Sequence, residues 1–133
     1  MRLLLSLLFL LAFLQTSAQF DGFAWDGIDR TYLVHLPTAY DEEGSHPLVI
    51  AMHGGFGNAL NLQNQSQLSV TADDENFIVV YPEGVQGGVF DIRTWNAGRC
   101  CGFASTSDVD DVGFINALID TCLLYTSPSP RDS

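Results

Sequence analysis

Two uninterrupted apolar runs, at residues 47–52 and 77–81, constrain the fold of this chain most strongly. Neither run alternates apolar with polar residues, and such strands are typical of a parallel sheet that is covered on both faces. The segment between them is mostly polar, and residues 59–75 can supply a crossover helix that breaks near residues 65–66. The spacing therefore predicts a strand–helix–strand unit of an α/β fold.

A hairpin is predicted before this unit. Residues 20–25 read as a weak strand, Asp26-Gly27 as a hairpin turn, and residues 31–36 as a β-rich segment that stops at Pro37. We expect the two strands to pair in antiparallel fashion at one edge of the sheet.

The segment after the second apolar run is predicted to be a long loop, followed by a helix. Residues 82–108 are rich in glycine, and a structureless segment of this length is uncommon unless it is functional. Residues 110–121 have helical periodicity, with Asp108 as the expected N-cap. The apolar stripe of this helix contains Phe114, Ile115, Leu118 and Ile119.

A glycine-rich turn directly follows the first apolar run. It reads His53-Gly54-Gly55-Phe56-Gly57. The backbone N–H groups of Gly54, Gly55 and Phe56 are candidates for an oxyanion hole, which stabilises the negative charge of acyl transfer. A turn of this kind can also hold phosphate. We expect His53 to support the turn through hydrogen bonds to backbone, although an imidazole can also serve as a base.

The charge balance excludes two classes of partner. Among 133 residues, 5 are Lys or Arg and 16 are Asp or Glu, which gives a net charge of −11. Nucleic acids and anionic membranes bind through clustered basic residues, so we expect neither as a partner. Neither a dinucleotide-binding pattern nor a Walker lysine occurs, and no cofactor is expected. The length suits one domain.

Both ends of the chain are predicted to lie outside the folded domain. Residues 1–18 have one positive charge, an apolar run and a small-residue exit, which indicate a signal peptide and a secreted or periplasmic protein. A membrane anchor is the alternative. Residues 122–133 differ in character, and residues 122–132 resemble the translation of a sequencing adapter, with a natural Ser/Pro-rich tail as the alternative. Residues 19–121 would then be a partial domain.

Five segments of the chain resemble the poly(3-hydroxybutyrate) depolymerase and feruloyl esterase-like branch of the α/β-hydrolases. They are residues 30–37 (RTYLVHLP), 47–55 (PLVIAMHGG), 80–84 (VYPEG), 95–102 (WNAGRCCG) and 110–114 (DDVGF). The resemblance implies the N-terminal half of an α/β-hydrolase, with a mostly parallel sheet and an antiparallel N-terminal hairpin. It also implies a secreted serine esterase whose substrate is a polyhydroxyalkanoate or a feruloylated polysaccharide, cleaved by a Ser–His–Asp triad.

The chain departs from this family in one respect, since no Gly-x-Ser-x-Gly occurs in it. The resemblance places the nucleophile, the Asp and the His beyond Thr121, so no catalytic residue is assigned here. We expect the fragment to be inactive, and to be prone to aggregation because the 77–81 strand has lost its neighbour. Two other functions stay open: a non-catalytic polymer- or carbohydrate-binding domain that uses Trp95, and a lipase or peptidase of the same fold.

Several other side chains have two interpretations. Cys100 and Cys101 are disulfide candidates, at least one with a partner downstream, or else reactive thiols. Trp95 and Phe103 either line a substrate cleft or pack the long loop onto the domain. Acidic side chains before the last helix favour helix capping over Ca²⁺ binding, and no metal site is predicted. These acidic residues are Asp108, Asp110 and Asp111.

Overall fold

The computed structural model of the chain describes residues 20–126, with side chains described as far as Leu123. The predicted signal peptide and residues 127–133 of the predicted tail lie outside the described residues. The elements, in chain order, are β1 (Phe20–Trp25), β2 (Ile28–His35), β3 (Leu48–Ile50), α1 (Ala59–Ser66), α2 (Leu68–Glu75), β4 (Ile78–Pro82), β5 (Val85–Gly87), β6 (Ile92–Thr94), α3 (Gly102–Thr106) and α4 (Asp111–Thr126).

The predicted N-terminal hairpin is confirmed. Strands β1 and β2 pair in antiparallel fashion and close on the pair Trp25↔Ile28. The two turn residues have positive φ, 48° at Asp26 and 75° at Gly27. Positive φ at both central positions is the type I′ geometry that matches the twist of a two-residue hairpin. The second strand begins at Ile28 rather than Thr31.

The predicted parallel unit is also confirmed, with one correction. Strand β3 pairs in parallel with β4 through Leu48↔Ile78, Val49↔Val79 and Ile50↔Val80. The strand order is β1-β2-β4-β3, so β4 has a neighbour on both sides, and the expectation that this strand had lost its neighbour is wrong. In the described part of the chain, the two edge strands of the four-stranded sheet are β1 and β3.

The sheet is less parallel than expected. Of its pairings among residues 20–126, β1–β2 and β2–β4 are antiparallel, and β3–β4 is the parallel one. The reason is that the N-terminal hairpin supplies two strands, whereas the described residues include a single strand–helix–strand unit.

Alternate residues of β2 and β4 form two separate cores. On one face, Leu33, Val79 and Tyr81 pack with Ala59 of α1 and Ala72 of α2. On the other face, Tyr32, Ile78 and Val80 pack with the buried side of α4, at Phe114, Leu118 and Cys122. Strand side chains point alternately to opposite faces, so helices cover the centre of the sheet on both sides. The two crossover helices separate at Gln67, whose φ is 56°.

The long loop predicted for residues 82–108 is wrong, since this segment holds β5, β6 and α3. Asp91 N–H donates to the Gly88 carbonyl at 3.2 Å and closes the turn between the two strands. Phe103 then packs on this hairpin over Gly87, where a side chain could not be added without a shift of the ring. A Cβ on Gly87 would lie 2.6 Å from the Phe103 ring.

Helix α4 begins at Asp111, and the residue that caps it is Asp110 rather than Asp108. The Gly113 N–H donates to Asp110 Oδ1 at 2.9 Å. The helix continues through Thr126, beyond its predicted end at Thr121. Within residues 20–126, no helix has the length and apolar character needed to cross a bilayer.

Candidate active site

The glycine-rich turn lies at the carboxyl end of β3 and faces solvent. Gly54 and Gly55 are exposed, and a Cβ added to either would meet no atom within 4 Å. Phe56 is 79% exposed and has a φ of 62°. Gly57 N–H donates to the Gly54 carbonyl at 3.1 Å, which closes the turn. The turn is therefore not packed inward, and its backbone is accessible to a ligand.

His53 is buried beneath this turn and bonds to backbone through both ring nitrogens. Gly84 N–H donates to Nε2 at 3.0 Å, and Nδ1 lies 2.8 Å from the Gly54 carbonyl oxygen. Because the Gly84 N–H can only donate, Nε2 is the acceptor, and the proton lies on Nδ1. The neutral ring thus joins the ends of β3 and β4, and neither nitrogen is left to act as a base.

Trp95 also contacts His53. Its indole Nε1–H donates to the His53 carbonyl at 3.0 Å, and the two rings lie 5.3 Å apart. Phe103 lies elsewhere, packed with Val85, Ala104 and Val109. The cavity beside the turn, about 320 Å³ in volume, is lined by neither aromatic residue. Their place in a substrate cleft stays a prediction.

A buried carboxylate, which the sequence analysis missed, lies next to the turn. Glu83 is 4% exposed and follows β4 directly. Its Oε1 accepts the Ala59 N–H at 3.2 Å, and its Oε2 lies 2.7 Å from Arg93 Nη2. It also accepts from the Thr31 hydroxyl at 3.3 Å. Glu83 thereby joins β2, the start of α1 and β6. In the sequence it lies in the VYPEG segment, which could have drawn attention to it.

A second buried ion pair connects three of the segments that carry the family resemblance. Arg30 Nη2 donates to Asp111 Oδ1 at 2.7 Å, and Asn96 N–H donates to Asp111 Oδ2 at 2.6 Å. The Arg30 guanidinium carbon lies 3.9 Å from the centre of the Phe114 ring. Burial lowers the pKa of Arg30, and the hydrogen bond and charge of Asp111 oppose this shift. The pair fixes β2, the Trp95 loop and α4 to one another.

The cysteine pairing differs from the one expected. Within the described residues Cys100 and Cys101 are paired with each other, and a partner downstream stays a prediction. The peptide bond between the two cysteines is cis, and Ala97 N–H donates to the Cys100 carbonyl at 2.6 Å. Within residues 20–126, no three His, Cys, Asp or Glu side chains are placed to hold a metal ion.

No serine of the described part is placed as an activated nucleophile by a hydrogen bond to a histidine. The Ser69 hydroxyl, on the face opposite α4, lies 2.8 Å from the Tyr81 hydroxyl and accepts from Gln63 Nε2 at 3.2 Å. Burial raises the pKa of Tyr81, and its hydrogen bond to Ser69 opposes this shift. This group is part of the core between α1, α2 and β4.

Comparisons with known proteins show a sequence similarity to an esterase and a structural similarity to a solved fold. No family model matches the chain. It is 31% identical to feruloyl esterase B of Piromyces equi over 90 residues, which cover 68% of this chain and 16% of that protein. Native pOPH has a TM-score of 0.58 at 16% identity, over 90% of this chain and 43% of pOPH. A variant of pOPH in complex with DMSO has a TM-score of 0.55 at 16% identity, over 90% and 42%.

The chain thus spans less than half the length of each of these proteins. At this identity the structural similarity to pOPH shows the fold alone. The chain is therefore esterase-like in sequence, and its described residues have a partial α/β fold that it shares with pOPH.

Proposed function

We propose that this chain is the N-terminal part of a secreted serine esterase that hydrolyses carboxylic esters. The observation that carries the proposal is the exposed backbone of Gly54, Gly55 and Phe56 at the carboxyl end of β3, beside its parallel neighbour β4. In open α/β sheets, ligands bind outside the carboxyl ends of the strands. The similarity to feruloyl esterase B supports the same reaction class.

The turn suits the charge that develops when an ester carbonyl is attacked. The carbonyl oxygen becomes an oxyanion, and N–H donors that are already fixed in place stabilise it without reorganisation. His53 supplies this fixation through its bonds to Gly54 and Gly84. Helix α1 begins shortly after the turn, and the positive end of its dipole adds to the favourable field.

The free edge of β3 can pair with a further strand, which would carry the nucleophile that this chain lacks. In our proposal, the chain that follows α4 forms a further strand along this edge, and the family's Gly-x-Ser-x-Gly turn ends it. The serine would then lie beside Gly54 and Gly55, with the acidic residue and the histidine supplied later in the sequence. The 133-residue chain alone would lack all three groups and be inactive. Its exposed edge would favour aggregation.

The alternative of a non-catalytic binding domain is less well supported. That interpretation needs Trp95 to present its ring to a polymer, whereas the ring packs against His53 and bonds to its carbonyl.

The test is to extend the reading frame beyond Thr121 in the source DNA and express the resulting protein. We expect a strand followed by Gly-x-Ser-x-Gly, labelling of that serine by a fluorophosphonate, and hydrolysis of p-nitrophenyl acetate. Secretion would be shown by a mature N-terminus at Gln19. An extended protein that neither hydrolyses the ester nor reacts with the fluorophosphonate would overturn the proposal, as would hydrolysis by the 133-residue chain itself.

A further inference from the structure

We propose that Glu83 is a positioning residue for the glycine-rich turn, and that its bond to the start of α1 holds the turn in the geometry that the reaction needs. This inference rests on the proposed function, because it gives the carboxylate a role in ester hydrolysis. Glu83 would then control the turnover of bound substrate as well as the stability of the fold.

The glycine-rich turn is attached at its two ends to two consecutive residues, Glu83 and Gly84. At its start, His53 Nε2 accepts the Gly84 N–H at 3.0 Å. Just after its end, the Ala59 N–H donates to Glu83 Oε1 at 3.2 Å. Ala59 is the first residue of α1 and is fully buried. The turn therefore lies in a closed ring of covalent and hydrogen bonds, in which the Glu83 carboxylate is the link at the α1 end.

Glu83 is itself fixed through both its backbone and its side chain. Its N–H donates to the Thr31 carbonyl at 2.9 Å, and its carbonyl accepts from Arg30 Nη2 at 3.2 Å. Its Oε2 accepts from the Thr31 hydroxyl at 3.3 Å and lies 2.7 Å from Arg93 Nη2. The side chain is 5% exposed, so the carboxylate is out of reach of a substrate. Such a group can act on the reaction only by positioning others.

The turn depends on this attachment because its own residues supply little rigidity. Gly54 and Gly55 are exposed, and glycine has more conformational freedom than any other residue. The bond from Gly57 N–H to the Gly54 carbonyl closes the turn but does not tie it to the sheet. Donors stabilise an oxyanion only when they are fixed beforehand, and a misplacement of about 1 Å can cost about 10²-fold in rate. The bond from Ala59 to Glu83 should therefore govern kcat.

Glu83→Asp removes this bond and keeps the ion pair. The aspartate carboxylate is one methylene shorter, and Arg93 can follow it because its side chain is 29% exposed. Ala59 cannot follow, because its N–H is buried backbone at the start of a helix. Glu75→Asp is the matched control, since it makes the same change at an exposed position at the end of α2. Asp111→Asn controls for lost stability, because it breaks a buried ion pair that makes no bond to the turn.

The first measurement is the ¹⁵N order parameter of the turn amides, in the protein from the extended reading frame. In Glu83→Asp, we expect the amides of Gly54, Gly55 and Phe56 to fall from about 0.85, typical of rigid backbone, to below about 0.6. Both controls should leave these values unchanged.

The second measurement is the hydrolysis of p-nitrophenyl acetate, at a temperature where each variant is folded. In Glu83→Asp, kcat should fall by about 10- to 100-fold while KM stays within about twofold, because the oxyanion forms only after the substrate is bound. Both controls should keep kcat within about twofold of the parent protein.

Unchanged order parameters in Glu83→Asp would overturn the inference, whatever the esterase activity. A rise in KM at constant kcat would also overturn it, since Glu83 would then act on substrate binding. An equal loss of kcat in Asp111→Asn would overturn it as well, because the loss would follow stability rather than the turn. A parent protein without esterase activity, in which the turn amides still become mobile in Glu83→Asp, would overturn only the proposed function.

Discussion

Loss of the buried charge at Asp111 should destabilise the fold far more than the same change one residue earlier. The side chains of Arg30 and Asp111 are 1% and 5% exposed and lie 2.7 Å apart. Asp111→Asn keeps the size of the side chain and an acceptor for the Asn96 N–H, but it leaves the Arg30 guanidinium without its counter-charge. Breaking a buried pair from one side costs about 3–5 kcal/mol.

We place the expected loss at the lower end of this range, at about 3 kcal/mol in the free energy of unfolding. Two contacts of Arg30 survive the substitution, since its Nη2 also donates to the Glu83 carbonyl at 3.2 Å and its guanidinium lies over Phe114. A change of this size lowers the folding equilibrium constant by about 150-fold. Asp110→Asn is the control: Asn still caps the helix, but its amide loses the exposed bond from Trp25 Nε1–H, so we expect a loss of about 1 kcal/mol or less.

The assay is urea denaturation at pH 7, followed by circular dichroism, on the protein from the extended reading frame. An Arg30→Met, Asp111→Asn double variant should lose less stability than the sum of the two single losses, because the unpaired charge is then removed. Equal destabilisation by Asp110→Asn and Asp111→Asn, or strict additivity in the double variant, would refute this account of the pair.

Three further predictions concern glycine and cysteine positions. Gly55→Ala should change the free energy of unfolding by less than about 0.5 kcal/mol, because its Cβ meets open space. In the extended protein it should nevertheless lower kcat/KM for p-nitrophenyl acetate about tenfold or more. Unchanged kinetics would contradict the proposed role of the turn. Gly113→Ala should cost about 1–3 kcal/mol in thermal or urea unfolding, because its Cβ would collide with the Asp110 carboxylate that caps α4 and would lie 2.6 Å from the Trp25 ring. A stabilised variant would show that these contacts yield easily. Burial raises the pKa of Cys122 to about 11. In the 133-residue chain, alkylation of this thiol by iodoacetamide at pH 9 should therefore be much slower in the folded protein than in the protein unfolded by urea, and the stability contributed by the thiol should fall as pH rises from 9 to 11. Equal alkylation rates in the two states would place the thiol in solvent.

The parts of the fold that were predicted correctly depend on local pattern. Asp26-Gly27 specifies a tight turn by its own backbone preference, and the hairpin forms as expected. The two apolar runs become neighbouring parallel strands because burial on both faces requires it. The crossover helix also breaks close to its predicted position, at Gln67.

The errors occur where a distant contact decides between similar local choices. Asp108 and Asp110 are equally good caps by residue type, but Trp25 Nε1–H donates to Asp110 Oδ2 at 3.1 Å and stabilises that aspartate at the helix start. Likewise, the β5–β6 hairpin depends on Phe103 packing over Gly87, residues that no short window of sequence relates.

The candidate site shows the same division. The exposed turn and its support by His53 lie within a few residues of one another, and the sequence pointed to both. Glu83 escaped notice because a single acidic residue after a strand is ordinarily solvated. Its burial depends on donors from β2, α1 and β6 that come together only in the folded chain.

The most direct test of the account measures the backbone amides of the turn when a negative charge is placed beside them. The extended protein, labelled with ¹⁵N, would be inactivated by a p-nitrophenyl phosphonate, which leaves a tetrahedral anionic group on the nucleophile. The account predicts that amide protons within Gly54, Gly55 and Phe56 move downfield, as new hydrogen bonds require, while those of Asn64 and Val70 stay in place. Unchanged resonances at the turn, with downfield shifts elsewhere, would contradict it.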